Sequence, residues 1–134
     1  MSLNNPSSGF FSTPEFQASG LPWTVTAATS GTTVVKYSIP KVTKNITVVN
    51  SDATAGNRIR IGFTENGVNG SNYVLVNGGQ TVTLDARVKE IFVRANSSGA
   101  YTYSIYCACT TIDGKFMPIL TGSVDGTSYW DGVG

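Results

Sequence analysis

Apolar and polar residues alternate along most of this 134-residue chain. Gly, Asn or Asp interrupts the alternation about every 8–12 residues, the spacing expected of turns between short strands. In Thr33–Ile39 the apolar face is Val35, Tyr37 and Ile39. In Arg58–Phe63 it is Ile59, Ile61 and Phe63, with Arg58 and Arg60 on the other side. Val82, Leu84, Ala86 and Val88 repeat the pattern. A period of two puts successive side chains on opposite faces of a sheet, so these are half-buried strands. The chain is expected to be all-β, with any chemistry confined to loops, ends and strand edges.

The spacing predicts eight strands, near residues 22–29, 32–39, 43–50, 58–64, 72–77, 80–88, 90–96 and 100–110, with a short ninth near 116–121. Turn chemistry separates them. Ser30-Gly31, Asn77-Gly78-Gly79 and Ser98-Gly99 offer residues that reach φ > 0 at little cost. Pro40 ends a strand because it cannot donate to a ladder. Residues 52–57 and 65–70 are expected as longer loops. No segment combines a 3.6-residue period with caps, so little or no helix is expected. Eight short strands suggest a two-sheet sandwich, either a jelly roll or an immunoglobulin-like arrangement. The Cys…Trp…Cys spacing of true immunoglobulin domains is absent.

Composition narrows the function classes. Charged residues make up 13% of the chain and the net charge is +1, about half the usual charged share. The nine Lys and Arg are scattered singly, unlike the basic stripe of a nucleic-acid binder, so no nucleic-acid contact is required. So few charges suggest a surface partly covered by other protein. There is no histidine, which removes the commonest general base and metal ligand. A Ser or Cys nucleophile would lack its usual partner, and the eight acids fall mostly in turns. Asp85 and Glu90 flank a strand connection within reach of Arg87 or Lys89, as expected of a solvated edge. No Gly loop carries the lysine and helix of a phosphate cradle. The chain is expected not to be an enzyme, with no catalytic residues, no cofactor and no bound metal.

Cys107 and Cys109 share one strand face at a spacing poorly suited to a disulfide, so they are expected to be free and buried. No secretory leader is expected at Met1–Ala18, and no apolar run approaches the ~20 residues of a membrane span. The sequons at Asn45, Asn69 and Asn96 fit chance in a chain rich in Asn, Ser and Thr. A calcium site at the Asp52 or Asp125 loop would rest on a single acid, which is weak. Residues 1–20 form a different region, a polar stretch followed by Phe10, Phe11 and Phe16. It is expected to be an arm, flexible or docked on a neighbour, ahead of a domain at 21–134. Near the end of the chain stand Tyr129 and Trp130, which either cap the domain's own core or pack on an adjacent subunit. Exposed Trp and Tyr beside Asn also fit a sugar site, with Trp23, Tyr129 and Trp130 as candidates.

Five short strings carry a family resemblance: Leu21-Pro22-Trp23, Pro40–Thr43, Ile61–Gly70, Arg87–Val93 and Met117–Gly122. Together they resemble the single jelly-roll penton proteins of large icosahedral eukaryotic DNA viruses, including those of algae, over residues ~20–134. The resemblance implies a single jelly-roll β-sandwich of about eight antiparallel strands. It also implies a structural virion protein, a homo-pentamer closing the fivefold vertices of a capsid among major and minor capsid proteins. Under this expectation Phe10, Phe11, Phe16, Trp23, Tyr129 and Trp130 are the inter-subunit or capsid contacts. The competing expectations are a decoration or cement protein of a virus or phage head, and a glycan-binding attachment jelly roll.

Overall fold

The computed structural model describes residues 20–116. Eight strands follow in order: β1 (Leu21–Ala28), β2 (Val35–Ser38), β3 (Lys41–Asn50), β4 (Ile59–Gly62), β5 (Val74–Val76), β6 (Thr81–Leu84), β7 (Glu90–Ala95) and β8 (Thr102–Asp113). One short helix, α1 (Glu65–Asn69), lies between β4 and β5, and a 3-10 turn, Gly114–Phe116, follows β8. Every pairing is antiparallel: β1 with β8, β2 with β7, β3 with β6 and β4 with β5. These pairs nest as in one long hairpin whose two arms are β1–β4 and β5–β8. Two further pairings, β3 with β8 and β4 with β7, roll that hairpin into two sheets. Sheet I runs β1-β8-β3-β6 and sheet II runs β2-β7-β4-β5. This is a single jelly-roll sandwich.

The alternation read from the sequence is the alternation of the fold. Ile46, Val48, Tyr103, Ile105 and Cys107 of sheet I and Ile59, Ile61, Ile91 and Val93 of sheet II fill one core. Fully burying each such aliphatic side chain contributes about 1.5–3 kcal/mol. Cys107 and Cys109 are free and buried in this core. Burial, with a smaller contribution from Cys109, pushes the Cys107 thiol up to about 12. The two sheets are also joined by a polar contact. The Tyr37 and Tyr103 hydroxyls meet at 2.6 Å, and Trp23 packs edge-on against Tyr37 with ring centroids 5.8 Å apart.

Two buried polar side chains organise the loops. Asn50 donates from Nδ2 to the Asn57 and Val76 carbonyls, while its Oδ1 accepts from the Asp52 amide. Thr43 donates to the Ala86 carbonyl and accepts from the Val88 amide. Both are therefore satisfied, as buried polar groups must be. Near Thr43 the β3–β8 register shifts twice, between Lys41, Thr43 and Asn45. Such irregularities bend a strand and let one strand serve both ends of a sandwich.

Several boundaries differ from the sequence expectation. The strand expected at 80–88 stops at Leu84, and the segment beyond gives its Ala86 carbonyl to Thr43 instead of to a ladder. The strand expected at 100–110 continues to Asp113, where it pairs with Lys41. The loop expected at 65–70 contains α1. Thr64 caps that helix by accepting the Gly67 amide at 2.9 Å, and Glu65 supplies a negative charge in its first turn. Of the ninth strand, Phe116 closes the 3-10 turn, and 117–121 lie outside the described residues.

Candidate functional site

The two sheets present different outer faces. On sheet I, β1 turns Pro22, Thr24, Thr26 and Ala28 outward, opposite Ala108, Tyr106, Ser104 and Thr102 of β8. Asn45, Thr47 and Val49 of β3 continue these rows from the other side of β8. Thr81 and Thr83 of β6 complete them. None of these residues is charged. The hydroxyls partly satisfy one another: Thr26 and Ser104 meet at 2.8 Å, and Thr47 and Thr83 at 3.5 Å. Tyr106 stands near the centre and is 42% exposed. Uncharged rows with an exposed aromatic resemble the centre of a protein interface, where charge is depleted and Tyr enriched.

Sheet II is covered differently. Helix α1 folds back over its outer side, and Val68 becomes fully buried. Gly62 makes this possible, because a Cβ there would lie 2.4 Å from Val68 Cγ2. Beyond the helix, Arg60 of β4 pairs across the ladder with Arg94 of β7. The Arg60 guanidinium lies over the Tyr73 ring at 4.3 Å. It donates from Nε to Asn96 Oδ1 at 2.8 Å and from Nη1 to the Val68 carbonyl at 3.0 Å. Arg94 donates from Nε to the Ala95 carbonyl and from Nη1 to Asn69 Oδ1, both at 2.9 Å. Burial, and secondarily the neighbouring Arg60, hold the Arg94 guanidinium below its usual value.

Next to this face, Ile61, Phe63, Ser71, Asn72, Tyr73 and Val74 line an open cleft of about 310 Å³. Two ion pairs join neighbouring strands elsewhere. Lys36 meets Glu90 at 2.9 Å across β2 and β7. Lys41 pairs with Asp113. The Asp52 carboxylate is occupied locally, accepting from the Thr54 amide at 2.9 Å and from Asn57 Nδ2 at 2.8 Å. Among the described residues no three His, Cys, Asp or Glu side chains gather as metal ligands. No described helix is long and apolar enough to cross a membrane.

Of the contact residues named from the sequence, the structure describes Trp23 alone. It occupies the inward-facing row of β1 with Val25 and Ala27, half-buried against the core. Phe10, Phe11, Phe16, Tyr129 and Trp130 lie outside the described residues, as does Asp125. Sequons Asn69 and Asn96 both fall beside the arginine pair as hydrogen-bond acceptors. Asn45 sits on the uncharged face. Sequence reasoning placed Arg60 outward but gave no sign of Arg94 beside it, because cross-sheet register is not written in either strand alone.

No protein-family model matches the chain, and no curated protein matches it. Among solved structures, it is similar to the BH2720 protein of Bacillus halodurans at 12% identity and a TM-score of 0.41, over 69% of this chain and 67% of that one. A likeness that distant carries no functional assignment.

Proposed function

We propose that this chain is a structural capsid subunit, a single jelly-roll penton protein whose five copies close a fivefold vertex of an icosahedral virion. One observation carries the reading: the outward rows shared by β1, β8, β3 and β6 are threonine-rich and carry no charge, the charges of these strands, Lys41, Lys44 and Asp113, falling outside those rows. Four strands at about 4.8 Å spacing, each of up to ~8 residues, give that face roughly 500 Å² in plan. This is most of the ~800 Å² per partner of a standard interface. Without charges, copies approach without mutual repulsion or the desolvation of buried ions. Closing a ring requires a heterologous contact, so this face meets a different patch on the next copy. Neighbouring major and minor capsid proteins surround the ring.

Native mass spectrometry of the full chain tests the reading. A pentamer is the expected species. A stable trimer would favour a decoration or cement protein, and a two-fold dimer would mean that the face meets itself. A monomer at every concentration would remove the assembly role. The cleft beside Tyr73, with its aromatic and amide lining, favours one second reading, glycan attachment. Robust binding on a glycan array would support it.

A further inference from the structure

We propose that Arg60 and Arg94, flanked by Asn69 and Asn96, form a binding site for a phosphate-type oxyanion on the outer side of sheet II. The site goes beyond an assembly role and does not depend on it. Electrostatics favours an anion here. Like charges directly opposite one another in an antiparallel ladder destabilise the sheet, yet Arg60 and Arg94 are register partners. Among the described residues both are held by amide and carbonyl oxygens, and neither belongs to the ion pairs Lys36–Glu90 and Lys41–Asp113. Both arginines are half-buried, so solvent does not fully screen them. An anion between them removes the repulsion.

Donor direction favours it too. Each guanidinium is fixed by Nε and Nη1, which leaves Nη2 of both available as donors. Arg60 is further held over the Tyr73 ring. Both asparagines turn their oxygens toward the arginines, so their Nδ2 groups remain as donors without a described partner. Among the described residues the partners of both guanidiniums are neutral oxygens, so no carboxylate already neutralises the pair. Clamping α1 to the sheet accounts for one nitrogen of each guanidinium, Nη1.

The charge selects the ligand class. Two guanidiniums balance a dianion, and a phosphate group carries about −1.5 to −2 at neutral pH. Arginine's planar fork suits its oxygens better than an ammonium would. The phosphate comes either as the free ion or as a phosphomonoester on a larger molecule.

Calorimetric titration of the full chain with inorganic phosphate and with O-phosphoserine, at ionic strength matched with chloride, tests the site. Saturable binding is expected, weakened at least tenfold in Arg94→Gln and only partly restored in Arg94→Lys. Lys36→Gln, on the same face but outside the site, is expected to bind as the wild type does. Tighter binding of O-phosphoserine assigns the phosphate to a larger molecule, whereas equal or weaker binding assigns the free ion. If Arg94→Gln does not fold, the wild-type arginine Nε–Hε NMR signals decide, and phosphate should shift those of Arg60 and Arg94. Heats no larger than those of chloride, unshifted arginine signals, or undiminished affinity in Arg94→Gln would overturn the site.

Discussion

The hydroxyl pair between the sheets offers a quantitative test of how this core is held. Tyr37 and Tyr103 share one 2.6 Å hydrogen bond, but their surroundings differ. Tyr103 is fully buried, at 0% exposure, whereas Tyr37 is half-buried at the end of the short strand β2. Tyr37→Phe therefore strands the Tyr103 hydroxyl away from water, at a cost of about 1–3 kcal/mol. Tyr103→Phe leaves a Tyr37 hydroxyl that water can reach, at about 0.5–1.5 kcal/mol. Replacing both removes donor and acceptor together, so the double variant should be more stable than Tyr37→Phe alone. Urea unfolding of the four proteins, analysed as a double-mutant cycle, measures these differences. For a chain of this size each kcal/mol is about 3–6 °C in Tm. Burial, then the Tyr37 hydrogen bond, holds the Tyr103 hydroxyl above its ordinary range. An unfolded tyrosine ionises near ~10, so stability should fall as pH rises past that value. If Tyr103→Phe proves the more damaging single change, or the two costs simply add, the reasoning from burial is wrong.

Three further outcomes follow from particular contacts. Gly62→Ala drives a Cβ into Val68 and should destabilise by about 1–3 kcal/mol, with hydrogen exchange accelerating first across 65–70. Native Cys107 and Cys109 should resist a thiol reagent such as DTNB and react only on unfolding, because both are buried and their thiols are held protonated. Lys41 holds the Asp113 carboxyl below the usual carboxylate range, through its hydrogen bond first and its charge second. A depressed carboxyl adds stability above its unfolded pKa and loses it as pH falls through the folded value. An NMR titration should therefore find Asp113 low in the wild type and returned toward normal in Lys41→Met.

The layers of this fold were legible because period-two patterning depends only on neighbouring residues. Ile59 and Ile61 against Arg58 and Arg60 already specified which side of β4 is core. The same logic applied to Trp23-Thr24-Val25-Thr26-Ala27 places Trp23 inward, where the structure has it. Helix α1 was hidden because five residues are too few to display a helical period, although Thr64 followed by Glu65 is a cap signature. The register shifts near Thr43 and the Arg60–Arg94 pair could not be read locally. Each is a consequence of which strand lies alongside, set by contacts between residues 30 or more positions apart. The uncharged rows on the outer face of sheet I were half legible: a low charged share was evident, but which residues line up beside Tyr106 needed the strand order.

The most direct test of the central claim places a charge at the middle of that face. Sedimentation velocity should find wild-type chain as a closed oligomer of five, and Tyr106→Lys as monomer with Tm within about 2 °C, since surface changes away from the core alter stability little. A pentamer that persists in Tyr106→Lys, or a wild type that never associates, would contradict assembly through this face.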